Sequence, residues 1–377
     1  MDLKNKTSKA AKVGEIYNLD HFRLAWKNPG HSRLMGNESV YPPSPRVIQA
    51  IIDLLAHANY YAEDSLTNQE LREKLAGYVG LPGYADWVTL GNGSMEIIDM
   101  VYRAFINEGD EILLPTPDYS PYARRAALYG GKVVDVLPGE NFSYTTESFT
   151  RLITPRTKLI LASSPNNPTG FMLSRQTVEE LCATGLIVAI DEAYVEFGEY
   201  TFDELVIDNP NLIISHTFSK AMGLAGIRLG FTLAGPELTG YLNRVRTPLN
   251  TSLVAHAAAM AAIDDIGYIR ENVRNIIRDR QFLNDEIEKI SGFKPVPSQG
   301  NFVLINCAGS GIAASDFAKH LFHAGYIVRD FVNGRGLPGN QYFRVTIGTR
   351  QDVEGVLAAI HQLVQARNAI PAASSVT

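Results

Sequence analysis

From Trp87 onward, short β-branched and aliphatic runs alternate with longer stretches whose apolar residues recur at three- and four-residue steps. The runs WVTL, EILLP, KVVDVL, KLILAS, LIVAID, LIISHT and LGFTLA read as strands. The stretches between them, such as Met95 to Asn107 and Ser174 to Thr184, read as helices packed on a sheet. This alternation predicts an α/β fold, with a mostly parallel seven-stranded sheet between helices. After Asn250 the pattern changes to a long Ala- and Ile-rich helical region reaching about Ile290, followed by FVLINC, YIVRD and YFRVTIG among further helices. A smaller α+β domain is expected there. Before Val47, Pro42, Pro43 and Pro45 interrupt any helix, so this segment reads as an irregular arm laid over another surface. The expected organisation is an arm over 1–44, a large domain over 45–250 and a small domain over 251–377.

Composition narrows the function classes. A chain of 377 residues exceeds one ordinary compact unit, and 45% hydrophobic with 20% charged residues is a globular balance. The net charge of −6 is spread along the chain without a basic stripe, which argues against a nucleic-acid partner. Cys182 and Cys307 lie in no CxxC or Cys/His cluster, so neither a disulfide framework nor a metal site is expected. The N-terminus lacks the apolar stretch of a signal peptide, and no segment reaches the length of a membrane span, so a cytoplasmic protein with no membrane partner is expected. The tail PAASSVT has the composition of a frayed end.

In an open α/β sheet the ligand lies beyond the carboxyl ends of the strands, so the residues just after each strand carry the information. After WVTL, GNGSME opens a helix whose free N–H groups suit a phosphate at Gly93, Ser94 and Met95, although an ordinary tight turn has the same look. Glu96 stands where a dinucleotide fingerprint has its last glycine, which counts against a nicotinamide cofactor. SPNNPTG after KLILAS is a rigid loop that can present an Asn amide to the crevice. DEAY places the carboxylate of Asp191 at the end of an apolar strand, a costly position without a cation. Lys220 follows LIISHT, where partial desolvation makes an amine nucleophilic.

Together GNGSME, SPNNPTG, DEAY, FSKAMGLAGIRLG and FRVTIGT resemble the class I/II aminotransferases of fold type I, in order and spacing most of all the histidinol-phosphate aminotransferase branch. The resemblance runs from about Asn37 to Arg350. It implies a pyridoxal 5'-phosphate enzyme in which Lys220 holds the cofactor as a Schiff base and then moves a proton at the substrate's amine-bearing carbon. It also implies that Asp191 pairs with the pyridine nitrogen, that Asn167 and Tyr194 donate to the phenolate oxygen, and that Tyr119 stacks on the ring. The phosphate would rest on Gly93, Ser94 and Met95, joined by Thr217, Ser219 and Arg228. Tyr61 matches a tyrosine that reaches the phosphate of a neighbouring subunit, which implies a homodimer with shared active sites and an arm that joins both the small domain and the dimer contacts.

Arg344 and Arg329, on predicted small-domain strands, would face the substrate, and a guanidinium suits a carboxylate or phosphate. The arm tyrosine of that branch is matched by Phe22, which cannot donate a hydrogen bond, with His21 and Arg23 beside it. The expected function is an aminotransferase acting on a small polar amino compound, histidinol-phosphate-like or related, with 2-oxoglutarate or glutamate as partner. The alternative is a lyase or cyclase of the same cofactor, of the kind that cyclises a hydroxylated arginine in capreomycidine formation, because these reactions begin from one covalent adduct. A non-catalytic binder is a third reading, and the presence of Lys220 and Asp191 speaks against it.

Overall fold

The structure is a computed structural model that describes residues 3–16, 18–64 and 68–368. In chain order its strands are β1 (Ser32–Leu34), β2 (Val88–Gly91), β3 (Glu111–Pro115), β4 (Lys132–Val136), β5 (Thr157–Ser163), β6 (Ile187–Asp191), β7 (Leu212–Thr217), β8 (Gly230–Ala234), β9 (Lys294–Val296), β10 (Phe302–Asn306), β11 (Tyr326–Asp330) and β12 (Tyr342–Thr346). Seven of them form one sheet in the order β2-β8-β7-β6-β5-β3-β4. All neighbouring pairs are parallel except those made by β8, which runs antiparallel to both β2 and β7. The seven runs expected from the sequence are these seven strands. Every residue of β3, β7 and β8 is buried, as strands covered on both faces require, whereas edge strand β4 exposes Lys132 and Asp135.

The strand order reverses beside β3: the chain steps out to β4, then returns on the other side as β5. Such a reversal leaves a crevice at the carboxyl ends of the strands. The loops after β3, β5, β6 and β7 all open on that end, so Asp118, Tyr119, Asn167, Asp191, Tyr194 and Lys220 converge from distant parts of the chain.

The second sheet has five strands in the order β1-β11-β12-β10-β9. Here the structure departs from the irregular arm expected before Val47. Helices Lys9–Val13 and Asp20–Lys27 form, and β1 pairs in parallel with β11. The prolines mark the end of this region rather than disordering it. Pro45 starts the helix Pro45–Leu54, where a missing N–H costs nothing, and Ser44 caps that helix by accepting from the Val47 N–H. The long helical region also divides, at Asp265, into Leu253–Asp264 and Ile266–Glu288. One hydrophobic core runs between the two sheets, joining Leu90, Ile190 and Phe231 to Phe302, Phe343 and Val345. Among the described residues no helix is long and apolar enough to cross a membrane.

Candidate active site

Asp191 ends β6 with only 3% of its surface exposed. Its Oδ2 accepts a 2.6 Å hydrogen bond from the Tyr122 hydroxyl and its Oδ1 accepts from the Ala193 N–H at 3.1 Å. Burial pushes the carboxyl's pKa up, and these donors pull it back. Among the described residues its hydrogen-bond donors are neutral, so a buried carboxylate stands at the crevice without a cation bonded to it.

Lys220, in the turn after β7, donates from its amine to the Gly36 carbonyl at 3.0 Å, and the ammonium lies 5.5 Å from the centre of the Tyr194 ring. Desolvation lowers the amine's pKa to about 8; Arg344 and Arg228 push the same way, while Glu38 and Asp191 oppose them. An amine with this pKa is partly neutral near physiological pH, which nucleophilic or proton-transfer work requires.

The Tyr194 hydroxyl accepts from Asn167 Nδ2 at 3.2 Å and from Asn37 Nδ2 at 3.0 Å. With both lone pairs occupied, the phenol keeps its own hydrogen for another acceptor. Asn37 in turn bonds the Thr346 hydroxyl at the end of β12, which ties the five-stranded sheet to this point. Arg344 donates through Nη1 to Asn167 Oδ1 and through Nη2 to the Met35 carbonyl, and its guanidinium lies 5.1 Å from the Phe302 ring centre. Arg329 faces Arg344 directly across the β11–β12 pair, so both side chains leave the same face.

A second cluster forms at the start of the helix Ser94–Phe105. Gly93 precedes it with φ +77°, and any Cβ there would run into the Arg228 guanidinium. A Cβ on Gly230 would lie 2.9 Å from the Ser94 nitrogen, so glycine lets β8 approach the helix end. Arg228 Nη1 donates to Ser219 Oγ at 3.3 Å, and Thr217 Oγ1 donates to the same oxygen at 3.0 Å. Helix N–H groups, a hydroxyl and a guanidinium thus surround one spot, as an anion site requires.

The remaining expected residues are more scattered. Tyr119 follows β3 and meets Tyr122 edge to face, with ring centres 5.5 Å apart. Phe22 packs with Ala25, Met35 and Ile327 and lies against Gly36, whose Cβ, if it had one, would be 3.2 Å from Phe22 Cε1. His21 Nε2 lies 3.3 Å from Asp330 Oδ1, and its Nδ1 meets Arg329 Nη1. Tyr61 does not join its own chain's site: it is 85% exposed.

Four contributors were not singled out in the sequence: Asn37, Tyr122, the Gly36 carbonyl, and a buried group behind the site. In that group His216 Nε2 bonds Asp203 Oδ1 at 2.6 Å, Glu192 Oε2 lies 3.7 Å away, and Thr201 Oγ1 lies within hydrogen-bond distance of both acidic side chains, 2.7 Å from Glu192 Oε2 and 2.6 Å from Asp203 Oδ2. Burial alone would lower the His216 pKa, but Asp203, Glu192 and Glu196 lift it to about 9. Burial and the Asp203 charge raise Glu192 to about 8. The three side chains are close enough to hold a metal ion, yet their ligand atoms already satisfy one another. Only Tyr122 could have been suspected, three residues after Tyr119 at the start of a helix.

The residues fit pyridoxal phosphate: an amine with a lowered pKa, a buried carboxylate that lacks a bonded cation, and a glycine-lined anion cradle share one crevice. Comparison with known proteins agrees. A family model described as aminotransferase class I and II matches residues 33–360. Histidinol-phosphate aminotransferase from Methanothermobacter thermautotrophicus is 32% identical over 335 residues, 88% of this chain and 89% of that one. The protein of the same name from Methanosarcina barkeri is 36% identical, covering 87% of each chain. The crystal structure of histidinol-phosphate aminotransferase from Sinorhizobium meliloti in complex with pyridoxal-5'-phosphate has the same fold, with TM-score 0.84 and 24% identity over 96% of this chain and 98% of that one.

Proposed function

This chain belongs to the class I and II aminotransferases and is a pyridoxal-phosphate-dependent transferase, and from that premise we propose that it moves the amino group of a small amino compound bearing an anionic group, histidinol phosphate or a close analogue, onto a keto acid such as 2-oxoglutarate. The observation that carries this choice of substrate is the pairing of Arg329 with Arg344. Two like charges placed directly opposite on one sheet face repel, and an anion between them turns that cost into binding.

The bound cofactor supplies an electron sink for the bond broken at the amine-bearing carbon. Lys220 would hold the cofactor through its amine, and the same amine would move the proton at the amine-bearing carbon. Asp191 would keep a positive charge on the ring nitrogen, and the Tyr122 hydroxyl would hold that carboxylate ionised and aimed. Tyr194 and Asn167 would orient the ring, Tyr119 would stack on it, and Gly93, Ser94, Met95, Thr217, Ser219 and Arg228 would hold the phosphate. The arm residues His21 and Phe22 close the pocket from the side of β11, with Phe22 supplying shape rather than a hydrogen bond.

The dimer reading is supported by Ile48, Ile52 and Leu55, spaced along one face and 45%, 53% and 56% exposed, beside the exposed Tyr60 and Tyr61. Residues 1–44 and 251–377 would form the smaller of two domains around the five-stranded sheet. The thiols of Cys182 and Cys307 are free and buried, in keeping with a reducing cytoplasm. Relatives that carry the aminotransferase name over 88% of this chain do not favour the lyase or cyclase alternative. The deciding experiment mixes holoenzyme with a panel of amines, with and without 2-oxoglutarate, and follows the cofactor's visible absorbance. Histidinol phosphate should bleach the band of the lysine-bound form, and 2-oxoglutarate should restore it; turnover without an acceptor would reject transamination.

A further inference from the structure

Between Asp330 at the end of β11 and Tyr342 at the start of β12, the chain leaves the five-stranded sheet and lies on the loop after β3. Gly336, at φ +72°, makes this approach possible. A Cβ there would stand 2.6 Å from the Pro117 nitrogen and 2.7 Å from Thr116 Cγ2. One residue earlier, Arg335 Nη1 donates to both oxygens of Asp118, at 3.2 and 3.1 Å, while Nη2 meets the Asp135 carboxylate on β4. Thr116 Oγ1 closes the group with a 2.9 Å bond to Asp135.

The Asp118 side chain is only 2% exposed, so its charge is answered by a cation that belongs to the other sheet. Burial pushes its carboxyl up to about 7, and Arg335 is the charge that pulls it down. The chain connections on either side link this contact to the site residues. Asp118 is bonded directly to Tyr119, and the loop that carries Arg335 joins the strands that carry Arg329 and Arg344.

We propose that Arg335 is a positioning residue: by bridging Asp118 and Asp135 it sets the spacing between the ring-stacking loop at Tyr119 and the paired arginines that grip the substrate. The proposal rests on the roles assigned above to Tyr119, Arg329 and Arg344. A forked guanidinium serves two carboxylates at once, which a lysine ammonium cannot do with the same geometry.

The test uses holoenzyme of R335M, R335K, D118N and the double variant D118N/R335M, with Y119A as control, and reads KM, kcat, thermal midpoint and the circular dichroism of the bound cofactor's visible band. R335M should raise KM for the phosphorylated amine by at least about tenfold and weaken the dichroic band, because misplacement of binding groups by about 1 Å is felt that strongly. R335K should recover only part of either. D118N/R335M removes the buried charge together with its partner, so its thermal midpoint should return toward wild type while KM stays high. A double variant of near-wild-type stability with wild-type KM and dichroism would overturn the proposal. If Y119A leaves the band unchanged, the stacking role of Tyr119 is what fails, and the KM of the double variant still decides the role of Arg335.

Discussion

The Tyr122 hydroxyl donates to Asp191 Oδ2 at 2.6 Å, and both groups are sealed from solvent. Burial holds the phenol's own pKa well above its usual value, so it stays a donor throughout the working pH range. Tyr122→Phe should therefore leave the fold intact and loosen the cofactor. Loss of a hydrogen bond to a charged group costs about 1.5–3 kcal/mol, or roughly 10- to 150-fold in the dissociation constant. Fluorescence titration of the apoenzyme with pyridoxal phosphate measures it, and an unchanged constant would refute the role given to Tyr122.

Lys220 supplies a pH prediction. Its amine is charged below a pKa of about 8 and neutral above it, and only the neutral form attacks a carbonyl. The rate at which apoenzyme takes up pyridoxal phosphate should rise with pH through about 8 and then level off. Arg344→Lys, which removes a neighbouring fork that helps depress this value, should shift the midpoint if the lysine ammonium settles farther away. Lys220→Ala should form no covalent band at any pH.

The two arginines can be separated by substrate. Arg329→Met and Arg344→Met should each raise KM for histidinol phosphate by roughly 10- to 150-fold, the worth of one charge-assisted contact. Arg344 also holds Asn167, so its loss should lower kcat as well, whereas loss of Arg329 should act mainly on KM. Equal effects on both constants in both variants would contradict this division.

The buried group behind the site predicts how stability depends on pH. His216 is raised from 6.5 to about 9, so its contribution is complete below 6.5 and is lost as pH climbs through about 9. Glu192 is raised from 4.5 to about 8, so over that interval the folded chain keeps a proton that the unfolded chain gives up, and stability falls as pH rises. Both act in one direction: the urea midpoint should fall as pH rises across this range. His216→Gln leaves the buried Asp203 carboxylate without its cation and should cost about 3–5 kcal/mol at the acid end, with the gap to wild type narrowing above pH 9. A gap that widens instead would show that His216 is not the cation.

Much of this architecture could be read from the chain. The inner strands of the main sheet announced themselves as apolar runs, since a strand covered on both faces has no room for polar alternation, and edge strand β4 showed itself through its valines. The residues just after those strands could be read as well, because topology sends them to one end. The arm could not. Its prolines stand at positions 42 to 45, but the strand that precedes them, Ser32–Leu34, is three residues long and stable only through its pairing with β11, nearly 300 positions away. Asn37, the Gly36 carbonyl and His216 were hidden for the same reason: each matters through a partner that only the folded chain brings near. Backbone carbonyls carry no letter at all, and a buried histidine is written like an exposed one.

The carbonyl that receives the Lys220 amine belongs to Gly36, two residues past the end of β1, and β1 is anchored to β11 in the sheet that also bears Arg329 and Arg344. The free amine of Lys220 is thus held by the sheet on which the two arginines face each other. In the apoenzyme, then, an incoming aldehyde must draw the nitrogen off a carbonyl that is fixed by β1 and its partner β11, so uptake of the cofactor depends on a strand far from the lysine in sequence.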